Sequence, residues 1–375
     1  MKIGIITFQN VENYGAVLQC RALYTYLVAS GNDVQVIDYR CPVVESAYRI
    51  FPKFRKNIFI LVRQYVEAIY NYRGLIKRKE KFQQFLDDFN KTPPMVIDEV
   101  CKTDFDYDLI IAGSDQIWNP NITGGFDKVY FLDFDGHFRK AGYAISLGDV
   151  NYPQFSSQQF CDLIKTFDYL SFREPDVTDF ISSKLNCKCL QVVDPTLLLT
   201  CEQWDEIIKD TIFSTPDKYI LVYYVIGGQS SEEIIKIAEH LSDTYQMPIL
   251  NIKMGRGSSR FHKKVKNLMD VGPYEFVYLI KNASMVVTSS FHGTALSCIY
   301  QKDLSVVIPD EKGSRVTAIV NMFHLQDRVY NSYEDYICRC NDEKPPIDNR
   351  TAEYQEALQR SVSYLREIIN ADMQK

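Results

Sequence analysis

The sequence predicts an α/β protein of two domains, each a parallel sheet wrapped by helices, with the two sheets facing one another across a cleft. Three observations predict this. Short, continuous apolar runs recur along the chain, as strands buried on both faces of a parallel sheet require. Amphipathic helical stretches alternate with those runs, which is the βαβ rhythm. The rhythm breaks near residues 200–217 and restarts with a fresh strand, so the 375 residues read as two domains of ordinary size.

The first domain, residues 1–200, opens with the strand at residues 3–6. The loop "QNVENYG" follows. Then comes a helix whose apolar stripe is Val17, Leu18, Ala22, Leu23, Tyr26 and Leu27. Gly31 stops that helix, and "VQVID" is the next strand. The turn lacks G-x-G-x-x-G, so the dinucleotide fingerprint is absent. The loop is long and polar instead, and Asn13 and Tyr14 in it are candidate substrate contacts, because such loops lie where open α/β sheets bind ligands.

Residues 43–100 interrupt the alternation with a helical insertion. Residues 49–81 carry ten Lys or Arg, opposed by only Glu67 and Glu80, with Phe51, Phe54, Phe59, Tyr65, Tyr70 and Tyr72 interleaved. Two readings stand for this segment. It is a solvated helical hairpin over one face of the sheet, or a surface that rests on an anionic membrane or an acidic acceptor.

Strands then return in "YDLIIAGSDQIWNP", "KAGYAISLG", "FDYLSFREPDVTDFI" and "CLQVVDPTLLL", the last closed by Asp194 and Pro195. The second domain, residues 201–375, restarts with "KYILVYYVIGG". It continues through a helix at 231–245, strand "PILNIKM", helix "YEFVYLIKNA", strand "SMVVTSS", a helix at 292–301 and strand "LSVVIP". The last amphipathic segment, about residues 351–371, is placed to cross back onto the first domain.

Composition narrows the function. Apolar residues make up 46 % of the chain and charged residues 24 %, as in ordinary globular proteins. The 25 Tyr and 22 Phe suit core packing first, and ringed ligands such as sugars second. A net charge of −6 argues against a nucleic-acid partner. The chain enters a strand directly after Met1 and has no apolar run long enough to span a bilayer, so the expectation is a cytoplasmic protein, at the inner face of the membrane if the 49–81 segment docks there. Ten dispersed cysteines fit a reducing compartment. The C-x-C pairs Cys187/Cys189 and Cys338/Cys340 read as free thiols, with a four-cysteine zinc site as the rarer alternative.

Candidate chemistry sits at strand ends. In "TSSFHGT" a strand runs into a helix at His292, one of five histidines. A helix N-terminus favours anions, Gly293 permits close backbone approach, and Ser289, Ser290 and Thr294 add hydroxyls. His292 suits a general acid or base or a phosphate ligand, and Ser289 or Ser290 suits an N-cap. Arg173, immediately after "YLSF", suits bidentate capture of a carboxylate or phosphate, or an ion pair with Glu174 or Asp176. The loop "AGSDQIWNP" offers Ser114, Asp115, Gln116 and Trp118. Asp115 is placed to take a hydroxyl proton and Trp118 to present a flat surface; an Asx turn is the plainer reading of Asp115. Lys253, Arg256, Arg260 and Arg315 in two basic loops could steer a multiply charged anion. No nucleophile elbow, P-loop or H-E-x-x-H motif occurs.

Five segments stand in an order that resembles the polysaccharide pyruvyl transferase family: "GIITFQNVENYGAVLQ", "IIAGSDQIWNP", "YLSFRE", "VVDPTLLL" and "IKNASMVVTSSFHGTALS". They fall within roughly residues 2–328. The resemblance implies two Rossmann-like domains of the GT-B type. It also implies transfer of a pyruvyl group from phosphoenolpyruvate to a sugar or lipid-linked oligosaccharide, with a cyclic ketal as product and no cofactor beyond the donor. By the same resemblance His292 and Arg173 match family positions, and together they form one anion site across the cleft. Many members carry arginine two positions before the histidine. Here that position is Ser290, and Arg315 or Lys253 is expected to supply the missing charge. Glu275, at the start of the helix before the His292 strand, keeps open a nucleotide-sugar glycosyltransferase of the same shape. Ser290 keeps open a non-catalytic binding module of glycan assembly.

Overall fold

The computed structural model describes residues 1–51, 58–186, 189–225, 230–253, 264–308 and 314–371, without side-chain detail for 58–60, 230, 314 and 315. The chain divides into two compact units. The first comprises Met1–Tyr48, Leu86–Leu199 and Tyr354–Lys375, and the second Arg49–Phe85 and Thr200–Glu353. The basic insertion therefore clusters with the second unit and not with the domain that precedes it in sequence. The terminal helix clusters with the first.

The first unit is built on β1 (Lys2–Ile6), β2 (Asp33–Val36), β3 (Leu109–Ala112), β4 (Arg139–Ile145), β5 (Tyr169–Phe172) and β6 (Leu190–Gln191). They pair in the order β2-β1-β3-β4-β5-β6, and every pair is parallel. Residues 109–112 and 3–6 are all buried, which is why these strands read as apolar runs rather than alternations. "CLQVVDPTLLL" forms only a two-residue strand, because Pro195 starts a 3-10 turn at Pro195–Leu197.

Strand β4 carries a bulge. Its register against β5 shifts between Gly142 and Ile145, and Ala144 takes a positive φ of 52°. Ser171 Oγ spans the irregularity, donating to Gly142 O (3.0 Å) and accepting from Ala144 N (3.3 Å). Tyr364 of the terminal Ala352–Asn370 helix also donates to Gly142 O, at 2.8 Å. Two further bonds fix that helix within this unit: Ser361 Oγ accepts from Val193 N (2.8 Å), and Tyr354 donates to Leu197 O (2.8 Å).

The second unit is built on β7 (Ile220–Tyr223), β8 (Ile249–Ile252), β9 (Val265–Leu268), β10 (Met285–Thr288), β11 (Asp303–Val307) and β12 (Val329–Tyr330), in the order β12-β11-β10-β7-β8-β9 and again all parallel. Counted from β7 this is the doubly wound order 3-2-1-4-5-6 read from the other edge. Its core sets Ile220, Val222, Ile249, Val287 and Val307 against Ile234, Ile237, Ala238 and Leu241 of the Ser230–Tyr245 helix. Truncating one of these buried Ile side chains to Ala costs about 2–5 kcal/mol. Sequence periodicity did not reveal β9 or β12. Both are edge strands; β9 exposes Lys266 and Asn267, and β12 has two residues.

The insertion is a pair of helices, Ile58–Tyr70 and Tyr72–Asp87. Gly74 lies against Met269, where a Cβ would come within 2.7 Å of the Met269 Cβ. Arg78 Nη1 donates to Lys253 O (3.1 Å), and Phe85 meets Tyr274 edge-on at 4.8 Å. The two helices are separated by Asn71 alone, and helical bonds run across it, from Asn71 N to Glu67 O (3.0 Å) and from Leu75 N to Asn71 O (3.0 Å), so the expected hairpin is instead one helical run interrupted at Asn71. Among the described residues no helix is long and apolar enough to cross a bilayer.

Candidate functional site

In an open α/β sheet, ligands bind beyond the carboxyl ends of the strands where the strand order reverses. Each unit has such a switch point, between β1 and β3 in the first and between β7 and β10 in the second. Asn13, Tyr14, Ser114, Asp115 and Gln116 follow the strands of the first, and Ser289, Ser290, His292, Gly293 and Thr294 follow β10 at the second.

At the first switch point the loop after β3 is held by side chains from β1 and the helix that follows it. Thr7 Oγ1 donates to Ser114 O (3.0 Å) and accepts from Gln19 Nε2 (2.8 Å). Ser114 Oγ donates to Asp194 Oδ2 (3.2 Å), so a serine expected to touch substrate is instead fully buried in the frame. Asn13 accepts from Ala16 N (3.3 Å) and caps the Tyr14–Ala29 helix. Tyr14 is fully buried, so its side chain is a packing element and not the ligand contact expected of it.

Asp115 adopts φ 71°, a conformation that Asp tolerates better than most residues. Its Oδ1 accepts from Gln116 N (2.9 Å) and its carbonyl accepts from Ser146 N (3.1 Å). That bond reaches only the next residue, whereas an Asx turn bonds the amide two residues on, and the carboxylate stays half-buried at the strand end. Tyr48 lies beside it. Burial pushes the Tyr48 hydroxyl up to about 12; a bond with Asn13 works the other way, and Asp115 and Glu12 add to the rise. Sequence reasoning missed Tyr48, which follows a short helix at the edge of the insertion and has no motif around it.

Arg173 is not a solvent-facing clamp. Its side chain is 3 % exposed, with Nε on Glu174 Oε1 (3.0 Å) and Nη1 on Asp194 Oδ2 (2.7 Å). Asp194 Oδ1 also accepts from Thr196 N (2.9 Å) and Thr196 Oγ1 (2.7 Å). Burial opposes the Arg173 charge, but Glu174, Asp194 and Asp115 outweigh it and raise the pKa above the usual arginine value. The expectation of direct anion capture is corrected on this ground: the guanidinium's charge is directed at protein carboxylates. Glu174 was anticipated as a partner. Asp194, twenty-one residues away and outside any helix period, was not.

Two more expectations change here. Trp118 presents no surface. It is fully buried, stacked on Phe131 at 4.7 Å and surrounded by Phe160, Phe167 and Phe172, with Nε1 donating to Tyr130 O (2.9 Å). Gln116 turns onto its own loop, where Oε1 accepts from Asn119 Nδ2 (2.8 Å).

At the second switch point Thr288 ties β7 to β10 and to the next helix. Its Oγ1 donates to Tyr223 O (2.5 Å) and accepts from Ser290 N (3.0 Å). Ser290, 4 % exposed, is the N-cap of the Phe291–Ile299 helix, its Oγ accepting from Gly293 N (3.3 Å). Thr294 is fully buried, its Oγ1 donating to Ser290 O (2.9 Å) while its amide makes the first helical bond to the same oxygen (2.9 Å). The amides of Gly293 and Thr294 are thus already used, which narrows the anion site expected of this terminus. Gly293 serves packing more than ligand approach. A Cβ there would sit 2.7 Å from Thr288 Oγ1 and 3.3 Å from the Tyr223 ring. His292 and Ser289 are half-buried at the end of the strand, the His292 ring meeting Phe291 edge-on at 5.0 Å.

Lys253 ends β8. Burial lowers its pKa, Glu67 opposes that, and Arg63 adds to it, so this lysine neighbours the insertion helix. Glu275 is engaged at its own helix terminus, Oε2 accepting from Gly272 N (3.0 Å) and Oε1 pairing with Lys81 Nζ (2.8 Å). Arg256 and Arg260, and the side chain of Arg315, lie outside the described residues. So does Cys187, one half of a C-x-C pair; the other nine cysteines are free thiols. Among the described residues no group of three or more His, Cys, Asp or Glu is arranged to hold a metal ion. His292 belongs to the second unit, and Arg173 and Asp115 to the first.

Comparison with known proteins follows the same two-sheet plan. The fold is shared with the Staphylococcus aureus MnaA–UDP structure (TM-score 0.51, 13 % identity, 100 % of this chain and 98 % of that one). It is also shared with a UDP-GlcNAc 2-epimerase from Neisseria meningitidis bound to UDP-GlcNAc (0.50, 10 %, 99 % of each chain) and a putative one from Listeria monocytogenes (0.51, 8 %, 99 % and 97 %). At these identities the likeness fixes the architecture alone, a GT-B fold of two Rossmann-like domains. No curated protein matches the chain in sequence. A family model does, over residues 13–303, which takes in both switch points, and by that match the chain belongs to the polysaccharide pyruvyl transferase family.

Proposed function

We propose that this protein transfers the pyruvyl group of phosphoenolpyruvate to hydroxyls of a sugar in a cell-surface polysaccharide or its precursor, closing a pyruvate ketal. The observation that carries the reading is the family match across residues 13–303. The chemistry suits the strand-end residues. Protonation of C3 turns C2 of phosphoenolpyruvate into an oxocarbenium-like electrophile. One sugar hydroxyl adds to C2 and loses its proton. The C2–O bond to phosphate then breaks, releasing inorganic phosphate, and a second hydroxyl adds to C2 and loses its proton to close the ring.

His292 is assigned to the donor, as the group that delivers the C3 proton or holds the phosphate at the head of the Phe291–Ile299 helix. Asp115, half-buried at the end of β3, is assigned as the base for an acceptor hydroxyl. Arg173 is assigned to positioning: it pairs with both Glu174 and Asp194, and Asp194 in turn holds the Ser114 hydroxyl next to Asp115. The nucleotide-sugar reading draws less support, because Glu275 already gives its oxygens to Gly272 and Lys81.

The test is incubation with phosphoenolpyruvate and a panel of free and lipid-linked oligosaccharides, reading phosphate release and product mass. A sugar heavier by pyruvate less water supports the proposal. Turnover of a nucleotide sugar with no phosphate released from phosphoenolpyruvate would overturn it.

A further inference from the structure

The Ile58–Tyr70 helix is turned inside out. At about 100° per residue, Tyr65, Ile69, Val62, Val66 and Tyr70 fall in that order on one continuous arc of roughly 140°. This arc faces solvent: Val62 is 56 % exposed, Tyr65 39 %, Val66 61 %, Ile69 65 % and Tyr70 88 %. The face turned into the protein carries Leu61, Gln64 and Ala68, and the buried Gln64 Oε1 finds no hydrogen-bond partner among the described residues. A surface helix normally does the reverse, burying its apolar stripe and wetting its amides. Phe51 and Tyr72 extend the patch: both are exposed, and the Phe51 ring stacks on Tyr65 at 5.7 Å and on Tyr72 at 6.1 Å. A contiguous apolar surface of this kind marks an interaction site.

The charge around it selects the occupant. Arg49, Arg63, Arg73, Lys77 and Lys79 are exposed in the same segment, against an exposed Glu80, in a chain whose net charge is −6. Tyrosine and arginine serve protein interfaces as well, but lysine is depleted there, whereas an anionic headgroup layer attracts Lys77 and Lys79 along with the arginines over an apolar stripe and accommodates tyrosines at its boundary. Thirteen residues are too few to cross a bilayer, so the helix lies in the plane of the interface. We propose that the apolar face of the Ile58–Tyr70 helix, together with the exposed Arg and Lys of the same segment, docks the protein on the surface of an anionic lipid bilayer.

The test uses the full-length chain and vesicles of phosphatidylcholine alone or mixed with phosphatidylglycerol. Wild type should float with the anionic vesicles, less with the neutral ones, and less at high salt. The V66E/I69E variant should lose at least tenfold in partitioning. The R73E/K77E/K79E variant should lose on the order of a hundredfold, since each basic residue near the surface contributes about fivefold. Circular dichroism and melting of both variants should match wild type, because the changed side chains are exposed. As a second measurement, Tyr70→Trp should show an emission blue shift on anionic vesicles; Trp118 and Trp204 are fully buried and stay silent. The proposal is overturned if wild type ignores anionic vesicles, or if V66E/I69E binds as wild type does. It is equally overturned if the chain, without binding vesicles, forms a dimer that V66E/I69E dissolves, since the face would then be covered by a second copy.

Discussion

Arg173→Ala tests whether Arg173 is a positioning group or a substrate clamp. The side chain is 3 % exposed, and its two carboxylate partners, Glu174 and Asp194, are 2 % and 0 % exposed. Removing the guanidinium leaves both carboxylates buried without their cation. Asp194 keeps Ser114 and Thr196 as donors, which softens but does not remove the loss. Breaking a buried pair by deleting one partner costs about 3–5 kcal/mol. Two charge-assisted bonds at about 1.5–3 kcal/mol each lead to a similar figure. That is a large share of the roughly 5–15 kcal/mol that holds a domain together. Unfolding in urea should be followed by fluorescence in a Trp204→Phe background, so that Trp118, which packs in the first unit, is the reporter. Arg173→Ala should lower the stability of that unit by about 3–5 kcal/mol. Combined with Asp194→Asn, the two changes should couple by at least ~1.5 kcal/mol rather than add. Arg173→Lys should recover part of the loss, since it restores the charge but not the fork. A loss below about 1 kcal/mol, or strict additivity, would refute the buried-cluster argument. So would a variant of normal stability whose KM for phosphoenolpyruvate alone rises.

Other changes follow from the same geometry. His292→Ala should lower kcat by about 10²–10⁴ with an unchanged melting temperature; retained turnover would remove His292 from the chemistry. Gly293→Ala should destabilise by about 1–3 kcal/mol although alanine is the better helix former, because the added Cβ meets Thr288 Oγ1 at 2.7 Å. A thermal melt that rises instead would show that the strand end can relax. Ser290→Ala should cost about 1 kcal/mol through the lost N-cap, read by chemical unfolding with Trp204 as reporter. Glu233 is held below the usual carboxylate range, chiefly by Lys236 and then by the Tyr333 amide, which donates at 2.6 Å. A depressed folded pKa stabilises above the unfolded value and is lost as pH falls through the folded one. The melting-temperature gap between wild type and Glu233→Gln should therefore be widest near neutral pH and close on acidification; a gap constant down to acid pH would count against this.

The sheets were legible in the sequence because parallel strands buried on both faces leave unbroken apolar runs, as at residues 109–112 and 220–223. The edge strands β2 and β6 kept enough apolar residues to be read, but β9, with exposed Lys266 and Asn267, and the two-residue β12 emerged only in three dimensions. Strand ends carry a partial mark. Polar residues directly after an apolar run marked the strand ends at 113–116 and 289–290, but could not say which side chains face outward. Trp118 looked like a platform and is core. Ser114 looked like a ligand and is a strut. The Arg173–Asp194 pair depends on β6 lying beside β5, a topological fact that no local spacing encodes. The insertion shows the limit most plainly. Its charge count was readable, yet the outward turn of Val62, Val66 and Ile69 follows from how Gly74, Arg78 and Lys81 seat the next helix on the second unit.

Ser290 brings these strands of argument to one point. At a position where the sequence resemblance leads to an arginine, this chain has a neutral cap whose hydroxyl and amide are both bonded within the protein. An arginine there could not accept from Gly293 N, so cap and cation are alternatives at this site. The cap fixes the start of the Phe291–Ile299 helix, and hence the direction of its dipole, but that dipole supplies only about half a unit of positive charge. A phosphate carries more charge than this terminus offsets. Lys253, which follows β8, lies among Glu67 and Arg63 of the insertion, and Glu67 already competes for its charge. Arg173 is no better suited, since its charge is balanced by Glu174 and Asp194. We therefore propose that the remaining charge for an anionic donor comes from the basic residues of the sequence between β8 and β9 and from Arg315, a proposal that a loss of donor binding in Arg315→Ala would support and unchanged binding would overturn.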